Sequence, residues 1–300
     1  MWPPFTRKMK TLLRASGPPS MLRAQSGMVD RAGSRPMITN PDRFGRVLIF
    51  AAHPDDETIA CGGLLQRASI SLVLFAVDGA PRRYAFEQKF GSLRAYSEER
   101  FREASRALGL VPQCSFGRLA RKDGTSFADQ HLFRELGEAF ASLERMTRDF
   151  SPDLLVSHAF EGGHIDHDAC HILAKQTAFA LSLPHLEFPL YWRTTQGQDV
   201  FQRFRDRRND EIVLQLSSQE LRVKQQMLAE YKTQREQTSV FAVVTERFRP
   251  MAESDHLDAV WSRYPFENRW RQLRAEVFFR NIVEFRANTY PMSSSTSCSY

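Results

Sequence analysis

The feature that most constrains this chain of 300 residues is a repeated alternation of short apolar runs with helical patterns, in which polar, ionisable residues crowd the loops that follow the runs. Val47, Leu48, Ile49 and Phe50 form such a run, ending in the small residues Ala51 and Ala52. A short run of this kind, apolar at successive positions, reads as a strand buried on both faces. Gly62 and Gly63 lead into a short helical pattern through Leu64, Leu65 and Ala68, and Ser71 to Val77 reads as a second buried strand. Strand, helix, strand implies a right-handed parallel crossover. The pattern then predicts helices over 98–108, closed by Gly109, and over 132–150, ending before Pro152. A third strand follows at 154–157, a helix at 166–181 and a strand at 186–191. One more strand is expected at 212–216, and a helix at 218–231 opened by Ser217 with Glu220 in the spacing of a capping box. The fold class this implies is α/β, a three-layer α/β/α sandwich with a mostly parallel, Rossmann-like sheet.

Composition narrows the function classes. The formal charge of +6 suggests a polyanion partner until its location is checked. Residues 1–36 hold seven bases against the single acid Asp30 and so carry all of it, leaving the remainder neutral. No nucleic-acid partner is expected on that basis. The organisation expected is a disordered basic arm over 1–43, one domain over 44–286 and a disordered serine-rich tail over 287–300. The arm's Pro, Ser and Arg content also suits a targeting segment, or a start assigned upstream of Met21 or Met28. Cys61, Cys114, Cys170 and Cys298 lie far apart without a C-x-x-C pair, which excludes a cysteine zinc cage and points to a reducing, cytoplasmic setting. No apolar run approaches a membrane span. The oligomeric state is not legible.

Chemistry concentrates in two loops. His53-Pro54-Asp55-Asp56-Glu57 follows the first strand, bringing an imidazole and three carboxylates to the edge of the sheet where open parallel sheets bind ligands. One histidine and one carboxylate from this set suit a divalent metal, and a neighbouring carboxylate stays available to take a proton. Taken alone, the cluster fits a solvated acidic turn equally well. The second loop decides for a site, because His164-Ile165-Asp166-His167 follows another strand through Glu161 and a Gly-Gly pair. A third ligand from there would complete a His, Asp, His set with a fourth position open, as in catalytic zinc sites. His158 and His171 flank this cluster and are expected to pack beneath it, while His131, His185 and His256 are expected to be structural. Cys61 and Cys170 are expected to be buried packing residues, and Arg82 and Arg83 are weak candidates for substrate contact.

These residues resemble the LmbE-like or PIG-L type de-N-acetylases, whose signatures are an A-H-P-D-D-E loop and a later H-P-D-H segment. Here they read Ala52 to Glu57 and His164 to His167. The resemblance extends to Asp78-Gly79, to Glu161-Gly162-Gly163, to Glu187–Tyr191, and to Lys224, Met227, Leu228 and Tyr231 leading into Thr233-Gln234, so that it covers roughly 46–248. Ile165 stands where proline is usual and Val77 where threonine is usual. The resemblance implies that His53, Asp56 and His167 bind Zn2+, with Fe2+ or another divalent ion as alternatives, and that Asp55 is the general base. It implies that His164 is a second catalytic histidine held by Asp166. Glu57 is expected to orient one of the histidines. The implied reaction is removal of an acetyl group from an N-acetylated amino sugar, an N-acetylglucosamine-type small molecule or glycoconjugate. The alternative is metal-dependent hydrolysis of another amide, an ester or a phosphoester.

Overall fold

A computed structural model describes residues 44–82, 84–194, 196–252 and 275–289. The expected basic arm lies outside the described residues, as do Arg83, His256, Cys298 and all of the expected serine-rich tail beyond 289. The first strand, β1, spans Phe44–Ala51 and leads into helix α1, Asp56–Arg67. Strand β2 (Ala68–Phe75) follows, then α2 (Tyr84–Phe90), α3 (Leu93–Leu108) and β3 (Cys114–Arg118). A 3-10 turn, Leu132–Arg134, precedes α4 (Leu136–Phe150), and β4 (Leu154–His158) leads to α5 (Ile165–Leu181) and β5 (His185–Phe188). A short hairpin of β6 (Tyr191–Arg193) and β7 (Asp199–Phe201) comes next. Strand β8 (Ile212–Gln215), α6 (Ser218–Glu230), α7 (Arg235–Thr238), β9 (Thr245–Pro250) and α8 (Ala275–Thr289) complete the described residues.

The main sheet has seven strands in the order β3-β2-β1-β4-β5-β9-β8; the five from β3 to β5 run parallel, and β9 pairs antiparallel with both β5 and β8. Its central strands are covered on both faces. From β1, Leu48 and Phe50 join a core with residues of α4, α5 and α8, whereas Val47 and Ile49 join a second core with residues of α1, α3 and α6. Two buried faces explain why β1 is apolar at successive positions rather than alternately. The three-layer α/β reading therefore holds.

Several boundaries differ from expectation, each for a local reason. Helix α1 starts at Asp56 rather than at the glycine pair, and Ala68 already opens β2. Gly62 and Gly63 lie inside α1, where a Cβ at Gly63 would sit 2.1 Å from Leu216 Cδ2, so close packing rather than a turn explains that pair. Strand β3 was not foreseen, since Cys-Ser-Phe-Gly-Arg is partly exposed along its length and carries little apolar signal; the expected third strand is the fourth. The expected helix over 132–150 is interrupted at Glu135. The expected strand over 186–191 divides at Pro189 into β5 and the hairpin strand β6. Helix α8 runs to Thr289, three residues into the expected tail. The capping box of Ser217 and Glu220 is present as expected.

The chain winds outward from β1 to β2 and β3, then returns to lay β4 on the other side of β1. Ligands bind such sheets beyond the carboxyl ends of the strands flanking this reversal. Both histidine-bearing loops emerge there, from the neighbouring parallel strands β1 and β4.

Candidate metal centre

The loop from His53 to Asp55 turns sharply into α1. Asp55 adopts φ 125°, in the left-handed region that non-glycine residues rarely enter. Several partners hold it there. The Asp55 amide donates to Glu57 Oε2 at 3.0 Å. The buried Arg100 of α3 donates to the Pro54 carbonyl at 2.6 Å and to the Gly79 carbonyl at 2.7 Å, and stands 3.2 Å from Asp55 Oδ2. Burial pushes the Asp55 carboxyl up to about 8, with Arg100 opposing and Asp56 and Glu57 adding to the rise.

Asp56 is the hub. Its Oδ2 lies 3.3 Å from His53 Nδ1, 3.5 Å from His167 Nε2 and 3.4 Å from His158 Nε2. Burial works against the Asp56 carboxylate, yet His167, His158 and His53 outweigh it and hold the group well below the ordinary range. Burial drives His167 well below its ordinary value, leaving a neutral imidazole with a lone pair to offer. His158 reads differently, because its Nε2 already accepts the Ala52 amide at 3.0 Å. Its ring stacks on His167 with centroids 4.1 Å apart, and with Asp56 and His167 it forms one of the groups that could hold an ion.

Among the described residues, three overlapping groups of buried side chains could hold an ion: His53, His164 and His167; His53, Asp129, His164 and Asp166; and Asp56, His158 and His167. Ligands about 2.0–2.1 Å from a tetrahedral centre stand about 3.3–3.4 Å apart, and the two imidazole nitrogens lie at 3.3 and 3.5 Å from the shared carboxylate oxygen. His53, Asp56 and His167 are all buried. On its far side His53 Nε2 faces Asp166 Oδ2 at 3.3 Å and Asp129 Oδ2 at 3.6 Å. A carboxylate behind a ligating histidine fixes its tautomer and raises its basicity. Burial disfavours charge on His53, but Asp129, Asp166 and Asp56 together hold its pKa well above the ordinary value.

The expectation for Glu57 needs correction, and Asp166 and Arg82 gain partners. Asp166 meets His164 through its backbone amide, which donates to His164 Nδ1 at 3.2 Å, and its carboxylate stands within 4.8 Å of a His164 ring nitrogen, while its Oδ2 also faces His53 and accepts the Gln130 amide at 2.6 Å. The cause is that His164 is the N-cap of α5, where first-turn amides seek acceptors. Glu57 orients the Asp55 backbone, not a histidine, because one step along α1 turns it toward α6; it accepts from Thr58 Oγ1 at 2.6 Å and from the Tyr231 hydroxyl. Arg82 pairs with Asp78 at 3.0 Å. Cys61 and Cys170 are buried as expected, and His171 lies beneath the centre, its Nδ1 facing the His158 carbonyl at 3.2 Å and Glu187 at 3.4 Å. His185 pairs with Ser157 Oγ at 2.8 Å, and His131 faces the Asp129 carbonyl at 3.0 Å.

Arg100 and Asp129 were not foreseen. Each sits alone in its segment, and its role is created by contacts dozens of residues away. Asp129 is buried, and burial raises its carboxyl to about 6, with His53 opposing.

With this geometry described, comparison with known proteins is informative. The profile of the GlcNAc-PI de-N-acetylase family, PIG-L, matches residues 48–178. The matched stretch, less than half of the chain, includes both histidine loops, α1 and most of α5. A 1D-myo-inositol 2-acetamido-2-deoxy-alpha-D-glucopyranoside deacetylase of Catenulispora acidiphila is 29% identical over 162 residues, covering 46% of this chain and 50% of the relative. The chain thus spans about half the length of the curated relative it matches. Among solved structures, a triple mutant of a deacetylase from teicoplanin biosynthesis superposes with a TM-score of 0.54 at 20% identity, over 70% of this chain and 99% of that one. The A40926 pseudoaglycone deacetylase superposes with a TM-score of 0.51 at 17% identity, over 69% and 99%. At these identities the structural likeness concerns the fold.

Proposed function

We propose that this chain is a metal-dependent deacetylase that hydrolyses the acetamido group of an N-acetylated amino sugar or its conjugate. The observation that carries the reading is the buried His/Asp cluster at the ends of β1 and β4, in which Asp56 Oδ2 lies 3.3 Å from His53 Nδ1 and 3.5 Å from His167 Nε2, with Asp55 the preceding residue of the loop. The family match and the deacetylase named in Catenulispora acidiphila support the same reaction. His53, Asp56 and His167 would hold the ion, with zinc favoured by the two-nitrogen, one-oxygen donor set and Fe2+ accepted by the same set. Such an ion supplies a Lewis acid for the amide carbonyl and lowers the pKa of water.

The remaining steps belong to the chain. A cation bound nearby would offset the rise that burial gives Asp55 and keep it a carboxylate, which would accept the proton of the attacking water and return it to the departing nitrogen as the carbon–nitrogen bond breaks. Its fixed backbone and the Arg100 contact orient the carboxylate before substrate arrives. His164 Nδ1 accepts the Asp166 amide proton, so the neutral ring carries its own proton on Nε2. In that form it donates to a developing oxyanion without first being charged. Asp129 and Asp166 keep His53 in the tautomer whose Nδ1 faces Asp56.

Elemental analysis run beside acetate release from N-acetylated amino sugars tests this. Wild type is expected to hold one metal per chain and to release acetate. Asp55→Asn should keep the metal and lose turnover by about 10²–10⁴-fold, whereas His53→Ala should lose both. Full activity in Asp55→Asn would remove that carboxylate from the mechanism.

A further inference from the structure

The two side chains that hold the Asp55 turn come from different helices, Glu57 from α1 and Arg100 from α3, and residues 231–234 at the end of α6 reach both arms. On the α1 side, the buried Tyr231 hydroxyl donates to Glu57 Oε1 and lies 3.4 Å from Thr58 Oγ1, while the other oxygen of that carboxylate accepts the Asp55 amide. On the α3 side, Thr233 donates to Glu103 through its amide at 2.9 Å and its hydroxyl at 2.6 Å, and Gln234 Nε2 donates to the Tyr96 hydroxyl at 2.6 Å. Tyr96 and Glu103 lie one helical turn before and one after Arg100, on the same face of α3, so the bonds from 233 and 234 bracket the arginine. Glu57, Tyr96, Glu103, Tyr231 and Gln234 are all buried, where a polar contact is costly to leave unmade.

We infer that residues 231–234 are the positioning element of the site: they fix Glu57 against Arg100 and thereby hold the Asp55 carboxylate in the one orientation the reaction uses. The inference deepens the deacetylase reading and rests on it for the role of Asp55. A residue at φ 125° stays there only while its surroundings over-determine it. The bond from the Asp55 amide to Glu57 lies within the turn and α1, and so does the Thr58 hydroxyl bond to Glu57 at 2.6 Å, so neither can tie the turn to the rest of the molecule. The Tyr231 hydroxyl does, because it comes from the end of α6. Arg100 in turn reaches the Pro54 carbonyl and the Asp55 carboxylate only in the rotation of α3 that Thr233 and Gln234 hold. Tyr231 is therefore a positioning residue that acts on Asp55 through Glu57, and Thr233 and Gln234 act on it through α3.

Hydrogen exchange on the metal-loaded protein tests the placement without any substrate. Tyr231→Phe keeps the buried ring and removes only the hydroxyl. Amides in the peptide over 53–58 are expected to exchange about tenfold faster in this variant, the effect of losing one hydrogen bond to a carboxylate, while the β1 peptide over 44–51 keeps its wild-type rate. Thr233→Val should speed the same peptide by a smaller factor, since its amide bond to Glu103 remains. Acetate release reads the consequence for catalysis: Tyr231→Phe is expected to lower kcat about tenfold with KM and metal content unchanged. In an Asp55→Asn background the same substitution should have no further effect, whereas a merely structural defect would lower both backgrounds alike. Unchanged exchange over 53–58 in both variants, or a loss of kcat that persists undiminished beside Asp55→Asn, would overturn the inference. Faster exchange in a protein whose wild type releases no acetate would sink the deacetylase reading and leave the positioning of the turn standing.

Discussion

The two loops that meet at the centre are held in opposite ways. The first, His53 to Glu57, is strained at Asp55 and clamped by distant partners: Arg100 from α3, and Tyr231 through Glu57 from the end of α6. The second, from Ala159 into α5, is held by buried carboxylates that collect backbone amides. Asp168 takes the Glu161 amide at 2.9 Å and the Gly162 amide at 3.0 and 3.1 Å, and Glu161 takes the amides of Leu190 and Tyr191. The first arrangement fixes a single carboxylate against its backbone preference. The second stitches the α5 loop to the hairpin and leaves the ring of His167 to packing. A Cβ on Gly163 would fall 2.0 Å from the Tyr191 carbonyl, so this stitching also needs a glycine.

The difference can be broken most severely at Arg100. Arg100→Met leaves the Pro54 and Gly79 carbonyls and the Asp55 carboxylate without their cation, and should cost about 3–5 kcal/mol, the usual loss when one member of a buried pair is removed. Urea unfolding measures it, and a loss below about 1 kcal/mol would show that the clamp is not what holds the strained turn. Asp168→Asn keeps one acceptor oxygen but turns an NH2 toward amide donors, for an expected loss of about 1–3 kcal/mol. Metal content should be retained in this variant; its disappearance would mean that the second loop, too, positions ligands through long-range contacts.

A smaller effect sharpens the contrast through pH. Burial lowers His185 from 6.5 to about 3, so between those values the unfolded chain binds a proton that the folded one refuses. This contribution to stability is full above about pH 6.5 and is lost as pH falls toward 3. Urea midpoints for wild type and His185→Asn should therefore diverge on acidification to about pH 5, by on the order of 1–2 kcal/mol. Parallel curves would remove His185 from the acid sensitivity of this β4–β5 contact.

Legibility in the sequence followed the same division. Strands β1 and β4 were legible because both faces are buried, and the residues of each histidine loop were legible because they are contiguous. The placement of the loops on one sheet edge followed from strand alternation alone. What escaped was whatever depends on contact between separate segments. Arg100 is one arginine among several in a charged helix, and nothing local separates it from Arg102 or Arg106, which pair with Glu99 at the surface. Asp129 sits in a loop whose shape is set by Asp78, 51 residues earlier, which takes the Asp129 amide at 3.0 Å. The contact of Asp166 with His53 also escaped, because adjacency in sequence pointed only to His164. Strand β3 lacked a signal because a partly exposed parallel edge strand needs little apolar content.

The glycine pair in α1 carries a different lesson, about the order in which the molecule assembles. Gly62 and Gly63 admit the fully buried Lys224–Glu246 pair, whose members stand 2.7 Å apart. Lys224 donates to the Ile59 carbonyl at 2.8 Å, and Glu246 accepts the Gly63 and Leu64 amides at 2.6 and 3.0 Å. The middle of α1 is thus completed by side chains more than 160 residues away in the case of Lys224 and more than 180 in the case of Glu246. Closing such loops is entropically costly and slow relative to local helix formation. The helix that carries Asp56 therefore cannot complete its own contacts until α6 and β9, which bring Lys224 and Glu246, are in place.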